Sequence, residues 1–305
     1  MKLSILVGSR SVKKISDLLD ALGAADLPST TELLILWSGT AGALRDLKAC
    51  QNHPVVIVEQ KPPCYSSDTN ALAKRAEGEF LLLLNDGVLP DSDAVAAAME
   101  AISPDYIGIV GAKLRSPEGH LCHAGVLLNE SGEPYIRNHQ GAHWTDERVR
   151  NDMFVPAVSG AFLLVAREEF LEIGFDEALG GAGEDILFCL EYRRTFGKEI
   201  LYVAGASAIQ ADGTAKSARG ARPPLPGLAK NTLLTSAGER GCVLRKPGVR
   251  IITEQPEWIL HRKAAEVQKH LGNVKINEDW PESDIHYFIN YGMILEWAPS
   301  GIVVA

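Results

Sequence analysis

Residues 70–91 read NALAKRAEGEFLLLLNDGVLPD. The run Phe80–Leu84 is apolar at every position, with no polar alternation, so it predicts a strand buried on both faces. A helical stretch, Thr69–Glu77, leads into it, and Asn85-Asp86-Gly87 ends it with turn chemistry. Working outward, Lys2–Val7, Leu33–Leu36 and Val55–Val58 read as further strands. Between them Ser11 caps a helix whose Val12, Ile15, Leu18, Leu19 and Leu22 share a face, and Ala41–Lys48 reads as another helix. Strand, helix, strand at this spacing predicts an α/β fold with a mostly parallel sheet and right-handed crossovers. Such sheets bind ligands at the carboxyl ends of their strands. That singles out Gly8–Arg10, Trp37–Thr40 and Asn85–Asp86.

Downstream, a helix is expected from Asp91 to about Ile102 and a strand over Tyr106–Val110. The polar stretch from Arg115 to Phe154 holds four of the eight histidines and reads as hairpins and long loops. A buried stretch, Val158–Val165, precedes helices at Arg167–Ile173 and Glu184–Phe196 and a strand at Ile200–Val203. Residues 214–250 then carry eight basic side chains and one acid, around a stiff RPPLPG at 222–227 that cannot be regular helix or sheet. An amphipathic helix near Glu257–Leu271 and an apolar stretch near Ile285–Trp297 follow. The expected organisation is a body over 1–213, a basic Pro/Gly-containing linker over 214–250 and a C-terminal helical extension over 251–305.

Composition bounds the function. Of 305 residues, 46% are hydrophobic and 23% charged, which excludes wholesale disorder. A net charge of −9 argues against a nucleic-acid partner held by a basic surface. No apolar run is long enough to cross a bilayer, and the apolar stretch after Lys2 is too short for a secretory signal. Five scattered cysteines (Cys50, Cys64, Cys122, Cys189, Cys242) form no C-x-x-C pair and read as reduced thiols. A cytoplasmic protein is the expectation.

Four segments in chain order then converge on one family. LSILVGSR, TELLILWSGT, the 70–91 stretch, and a run holding VSGAFLLVA, GFDE, GEDILFCLEYRR and AIQADG resemble family-two glycosyltransferases, especially rhamnosyltransferase-like members. The resemblance covers about residues 2–213 and includes Gly111–Leu114 and HAGV at 123–126. It implies a GT-A fold: a Rossmann-like, mostly parallel central sheet flanked by helices. It also implies inverting transfer of a sugar from a nucleotide-diphosphate donor to a glycan or lipid-linked acceptor, as in polysaccharide biosynthesis. Gly8 and Trp37 are then expected beside the base, Asn70 under the donor pocket and Asp86 near the diphosphate.

Departures from the family pattern cluster on the donor side. Gly87 stands where the family has its metal-binding aspartate, and Gln210 where it has a histidine, leaving Asp86 and Gln210 as the candidate ligands for Mg²⁺ or Mn²⁺. Trp37 replaces the aspartate that holds the base, and Thr69 replaces an arginine before Asn70. Metal-independent chemistry is therefore an equal expectation, with Lys216, Arg219 or Arg222 of the basic segment offsetting the diphosphate charge. The same segment also suits peripheral contact with an anionic membrane surface, or simple solvation. Asp91-Ser92-Asp93 reads as helix-capping carboxylates before DAVAAAMEAI rather than a metal-binding D-x-D.

The acceptor side keeps its pattern. The resemblance makes Asp185 the catalytic base and Glu184 its support. A carboxylate beside the attacking hydroxyl takes its proton and favours the oxocarbenium-like transition state. A helix start that merely favours acids is the plain alternative. Asp176 and Glu177 are expected to fix a turn, while His139, His143 and Trp144 suit either a sugar-lining loop or a solvated one. Cys122-His123 lacks partners at zinc spacing. The competing class is a non-catalytic GT-A protein that binds a nucleotide, a sugar or a partner. Sugar, acceptor, linkage and oligomeric state stay open.

Overall fold

Apolar strands and amphipathic helices bury their faces only against one another, and here they do so in alternation. The computed structural model describes residues 2–40, 43, 53–59, 65–129, 134–179 and 183–211, with 249–252, 274–276, 285–288 and 302–304. The chain divides into two compact units, Met1–Val243 and Leu244–Ala305.

In the first unit, strand β1 (Leu3–Ser9) leads to helix α1 (Val12–Gly23), then β2 (Thr31–Trp37) and β3 (Val55–Glu59). Helix α2 (Tyr65–Arg75) precedes β4 (Phe80–Leu84), a short β5 (Val88–Pro90) and α3 (Ala94–Ala101). Strand β6 (Ile107–Arg115) opens the polar stretch, which holds β7 (Leu121–His123), β8 (Val126–Leu128), β9 (Pro134–Ile136) and β10 (Met153–Phe154). Then come β11 (Phe162–Ala166), α4 (Arg167–Ile173), α5 (Glu184–Phe196) and β12 (Glu199–Gln210). The main sheet has the order β10-β12-β6-β11-β4-β1-β2-β3, with β5 on β12 and β7 on β6.

Strands β1 to β4 pair in parallel, and β12 is parallel to β6. Strand β11 alone runs against both its neighbours, β4 and β6. The parallel strands therefore end on one edge, and β11 enters the sheet from it. Gly8–Arg10, Ser38, Asn85–Asp86, Arg115, Gln210 and the Gly160–Ala161 turn gather there, and the Asn85 N–H donates to the Ala161 carbonyl at 3.1 Å.

The polar-free run in β4 explains the two cores. Leu82 and Leu84 pack on one face with Ile5, Val7 and α1, while Leu81 and Leu83 pack on the other with Leu6, Leu72, Phe170 and Phe188. Burying each leucine contributes roughly 1.5–3 kcal/mol, so a central strand apolar at every position stabilises both layers at once. On α1, Ile15, Leu18, Leu19 and Leu22 face the sheet, and the Ser11 side chain accepts from the Lys14 N–H as expected. Val12, expected on that face, is exposed. The expected helix over 41–48 lies outside the described residues apart from Ala43.

The second unit differs from its expectation. Its described residues are strands β13 (Val249–Ile252), β14 (Val274–Ile276), β15 (Ile285–Phe288) and β16 (Ile302–Val304), paired in parallel in the order β14-β13-β15-β16. What reads as a helical extension thus contains a parallel sheet. The stretch 257–271, where the helix was expected, lies outside the described residues.

Candidate functional site

A cavity of about 330 Å³ opens at the carboxyl ends of β1, β2 and β4. Strand alternation decides which side chains reach it. Leu36 and Ser38 line the cavity, so Trp37 between them turns to the other face of β2. There it is 2% exposed, packs in the core with Leu82 and Leu84, and donates its indole N–H to the Thr40 carbonyl at 2.8 Å. A Cβ at Gly39 would come within 2.2 Å of this ring, so glycine makes room for it. The expectation that Trp37 flanks a base is corrected: a core indole offers no stacking face. Gly8 does line the cavity, and a Cβ there would meet nothing within 4 Å.

Helix α2 supplies the opposite wall. Tyr65, Asp68, Thr69 and Leu72 fall at i, i+3, i+4 and i+7 and all face the cavity. Ser66, Asp68 and Thr69 are buried although polar, which marks an inward face used for something other than core packing. Asn70 points elsewhere. Its amide donates to the Phe175 carbonyl at 2.9 Å and accepts the Phe175 N–H at 2.8 Å, with a further bond to Glu177 at 3.1 Å. Expected under the donor pocket, Asn70 instead clasps the GFDE loop to α2. Asp176 accepts the Ala178 N–H at 2.9 Å, the turn-fixing role expected of it.

Asp86 sits on the cavity wall with both carboxylate oxygens engaged. Oδ2 accepts from the Ser9 hydroxyl at 2.6 Å, and Oδ1 lies 3.4 Å from the Lys14 ammonium. Gln210 lies on the same edge, at the end of β12 opposite Val88. The Gly87 carbonyl is taken by the Ala211 N–H at 2.8 Å. Among the described residues no three His, Cys, Asp or Glu side chains could hold a metal ion together. A divalent cation asks for several oxygen ligands, and this set supplies one carboxylate already shared with an ammonium. Among the described residues the donor set does not fit the metal expected on Asp86 and Gln210. Lys216, Arg219 and Arg222 lie outside the described residues.

Glu184 and Asp185 open α5, buried rather than facing water, at 7% and 5% exposed. The Asp185 carboxylate accepts the Gly160 N–H at 3.0 Å and the Ile186 N–H at 2.9 Å. Tyr65, on the cavity wall, donates its hydroxyl to the Gly160 carbonyl at 3.0 Å. One glycine thus joins the cavity wall to Asp185. Burial, then the Asp185 and Glu184 charges, pushes the Tyr65 phenol well above its usual range, so it stays a neutral donor. Space is tight: a Cβ at Gly160 would lie 3.0 Å from the Tyr65 oxygen and 3.3 Å from the Asp185 Cβ.

Beside it, on β6, Arg115 forks onto Asp91 at 2.7 and 2.8 Å and reaches the Ser207 hydroxyl at 2.5 Å. Trp144 covers this guanidinium at 4.7 Å from its ring centre. Asp93 is the N-cap residue of α3, as expected, though its side chain makes no cap bond, and Asp91 serves Arg115 instead. His143 is exposed and bonded to Thr145 at 2.7 Å; His139 holds a positive φ of 47°. Lys14, Tyr65 and Asp68 are the site residues that sequence reasoning missed, while Ser9 falls in the expected Gly8–Arg10 segment. The inward polar face of α2 was the signal available for two of them.

Comparison with known proteins adds the fold. GalNAc-T7, solved with UDP, GalNAc and Mn²⁺, aligns with a TM-score of 0.56 at 13% identity, over 92% of this chain and 60% of its own. The mannosyltransferase PcManGT from Pyrobaculum calidifontis, in complex with GDP-Man and Mn²⁺, gives 0.52 at 15% identity over 88% and 80%. The fold is GT-A. S. aureus TarS 1-349 is similar to this GT-A chain at 0.50 and 16% identity, over 81% and 73%. By sequence, the GT-A chain is 33% identical over 151 residues to the uncharacterized protein y4gI of Sinorhizobium fredii. It is 35% identical over 142 residues to the O-antigen biosynthesis protein RfbC of Myxococcus xanthus. These matches cover 45% and 43% of the chain but only 16% and 11% of the relatives' lengths. No family model matches. No described helix is long and apolar enough to cross a membrane.

Proposed function

We propose that this chain is an inverting glycosyltransferase that moves a sugar from a nucleotide-diphosphate donor to a hydroxyl of a glycan or lipid-linked acceptor. The observation that carries the reading is the link from cavity to carboxylate, Tyr65 to Gly160 to Asp185, made by two hydrogen bonds of 3.0 Å. The GT-A fold, the complexes of its structural neighbours with GDP-Man and with UDP and GalNAc, and the O-antigen name of one relative support it.

In this reading the donor lies in the cavity, and the acceptor hydroxyl approaches Asp185. The acceptor oxygen attacks the anomeric carbon from the face opposite the diphosphate. Its proton passes to Asp185, the bond from that carbon to the diphosphate oxygen breaks, and the anomeric configuration inverts. Each Asp185 oxygen accepts a backbone N–H. Those N–H donors hold the base in one orientation, and Glu184 adds negative charge beside it.

A second reading, a GT-A protein that binds donor without turnover, is favoured by the buried Trp37 and the single carboxylate at Asp86. Proton NMR of UDP- and GDP-sugars with the full chain separates the two. Slow release of nucleoside diphosphate, absent in Asp185→Asn, is the expected result. A donor that binds but is never cleaved or transferred contradicts the enzyme and leaves the binding protein.

A further inference from the structure

The cavity has cations of the chain's own on its wall. Lys14 projects from the first turn of α1, and its ammonium lies 3.4 Å from Asp86 Oδ1 on the wall of the cavity. The other oxygen of Asp86 accepts the Ser9 hydroxyl, and Ser9 in turn accepts the Ser11 N–H at 3.1 Å. The hydrogen-bond direction is therefore set from the helix start to the carboxylate, leaving Asp86 the acceptor that anchors an ammonium. The two side chains are only 35% and 20% exposed, so their attraction is screened less than that of a surface pair. Arg10 lines the same wall. The β1–α1 wall thus carries two cations against one carboxylate, whereas the α2 wall offers Tyr65, Asp68 and Thr69.

We propose that Lys14, anchored by Asp86 and assisted by Arg10, binds the diphosphate of the nucleotide donor in place of a divalent metal. The proposal rests on reading the cavity as a nucleotide-sugar site. An ammonium has three donors, so it can hold a carboxylate and phosphate oxygens together. Position 87 supplies no side chain, and its carbonyl already accepts from Ala211, so a divalent ion on Asp86 would have to displace the ammonium or lie against it. Asp86, the remnant of a metal-binding pair in the family pattern, becomes the residue that positions a lysine. Charge then develops on the leaving diphosphate opposite a fixed positive group, as electrostatic stabilisation of this step requires.

Calorimetry with UDP and with GDP on the full chain tests this, in buffer with excess chelator and in buffer with Mn²⁺. One of the two nucleotides is expected to bind in chelator with an affinity within about threefold of that in Mn²⁺. Lys14→Met should weaken that binding roughly ten- to a hundredfold, the loss of a charge-assisted contact, with Lys14→Arg restoring most of it. Lys13→Ala, at a surface lysine paired with Asp17 on the same helix, should leave binding unchanged. Binding that requires Mn²⁺, or a Lys14→Met protein that binds like the parent, overturns the proposal and leaves the glycosyltransferase reading standing. Binding of neither nucleotide in either buffer overturns both. Should Lys14→Met fail to fold, the chelator comparison on the parent chain still decides.

Discussion

Strand β1 carries a serine–carboxylate pair at each end, and the two could hardly be used more differently. At its start, the Ser4 hydroxyl donates to Glu32 at 2.5 Å, Glu32 accepts the Glu77 N–H at 2.7 Å, and Ser4 accepts the Gly78 N–H at 2.8 Å. Ser4, Glu32 and Gly78 are buried there, and a Cβ at Gly78 would come within 2.5 Å of the Ser4 oxygen. At its end, Ser9 donates to Asp86 at 2.6 Å, but the neighbours are a cavity, a lysine and Gly8 with open space before it. The same chemistry staples the sheet at one edge and faces a ligand-sized opening at the other. The opening beside Asp86, rather than residue type, separates the two pairs.

The sharpest way to break this contrast is at Asp185 on the working edge. Asp185→Asn should lower kcat by about 10²–10⁴-fold, the range for a lost general base, with donor affinity little changed. Melting should fall only by the equivalent of roughly 1 kcal/mol, since one of two backbone N–H partners loses its oxygen. At the stapled edge Glu32→Ala should do the reverse, costing about 3 kcal/mol of stability while the folded fraction binds nucleotide as before. Denaturant titration beside calorimetry reads both.

The paired glycines give a milder version. Gly78→Ala should cost about 1–3 kcal/mol through overpacking against Ser4, whereas Gly8→Ala should stay within about 0.5 kcal/mol. Equal effects at the two positions would erase the distinction between a closed and an open edge.

Smallest is an alkaline effect at the link between them. Burial, then Asp185 and Glu184, raises the folded pKa of Tyr65, so its contribution is complete below the ordinary phenol value of 10.0. As pH climbs above that value the unfolded chain loses the proton first, and stability should fall by about 1.4 kcal/mol per pH unit for this group. Tyr65→Phe should flatten that limb, read by denaturant midpoints between neutral and strongly alkaline pH. An unchanged slope in the variant would remove Tyr65 as its source.

Much of the scaffold was legible because its signals are local. Phe80–Leu84, Arg167–Ile173 and Glu184–Phe196 fall where apolar runs and helical periodicity put them. Strand β12 runs on from Val203 to Gln210 through GASA, small residues that carry no strand pattern and cross a register shift between Val203 and Ser207. The site was harder to read. Trp37 faces the core because Leu36 and Ser38 take the cavity side, a matter of which way one strand alternates. Lys14 gains its meaning only when Asp86, 72 residues away, is folded beside it. Asn70 was expected under the donor pocket, yet its partner is a loop 105 residues on. Side chains whose role depends on a distant partner leave no mark in the local sequence.

Diffraction from crystals of the full chain soaked with UDP or GDP at saturating concentration tests the working edge most directly. The nucleotide is predicted in the cavity between Gly8, Lys14 and Asp68. Nucleotide bound at another surface, or a cavity that stays without it at saturation, contradicts the proposed function.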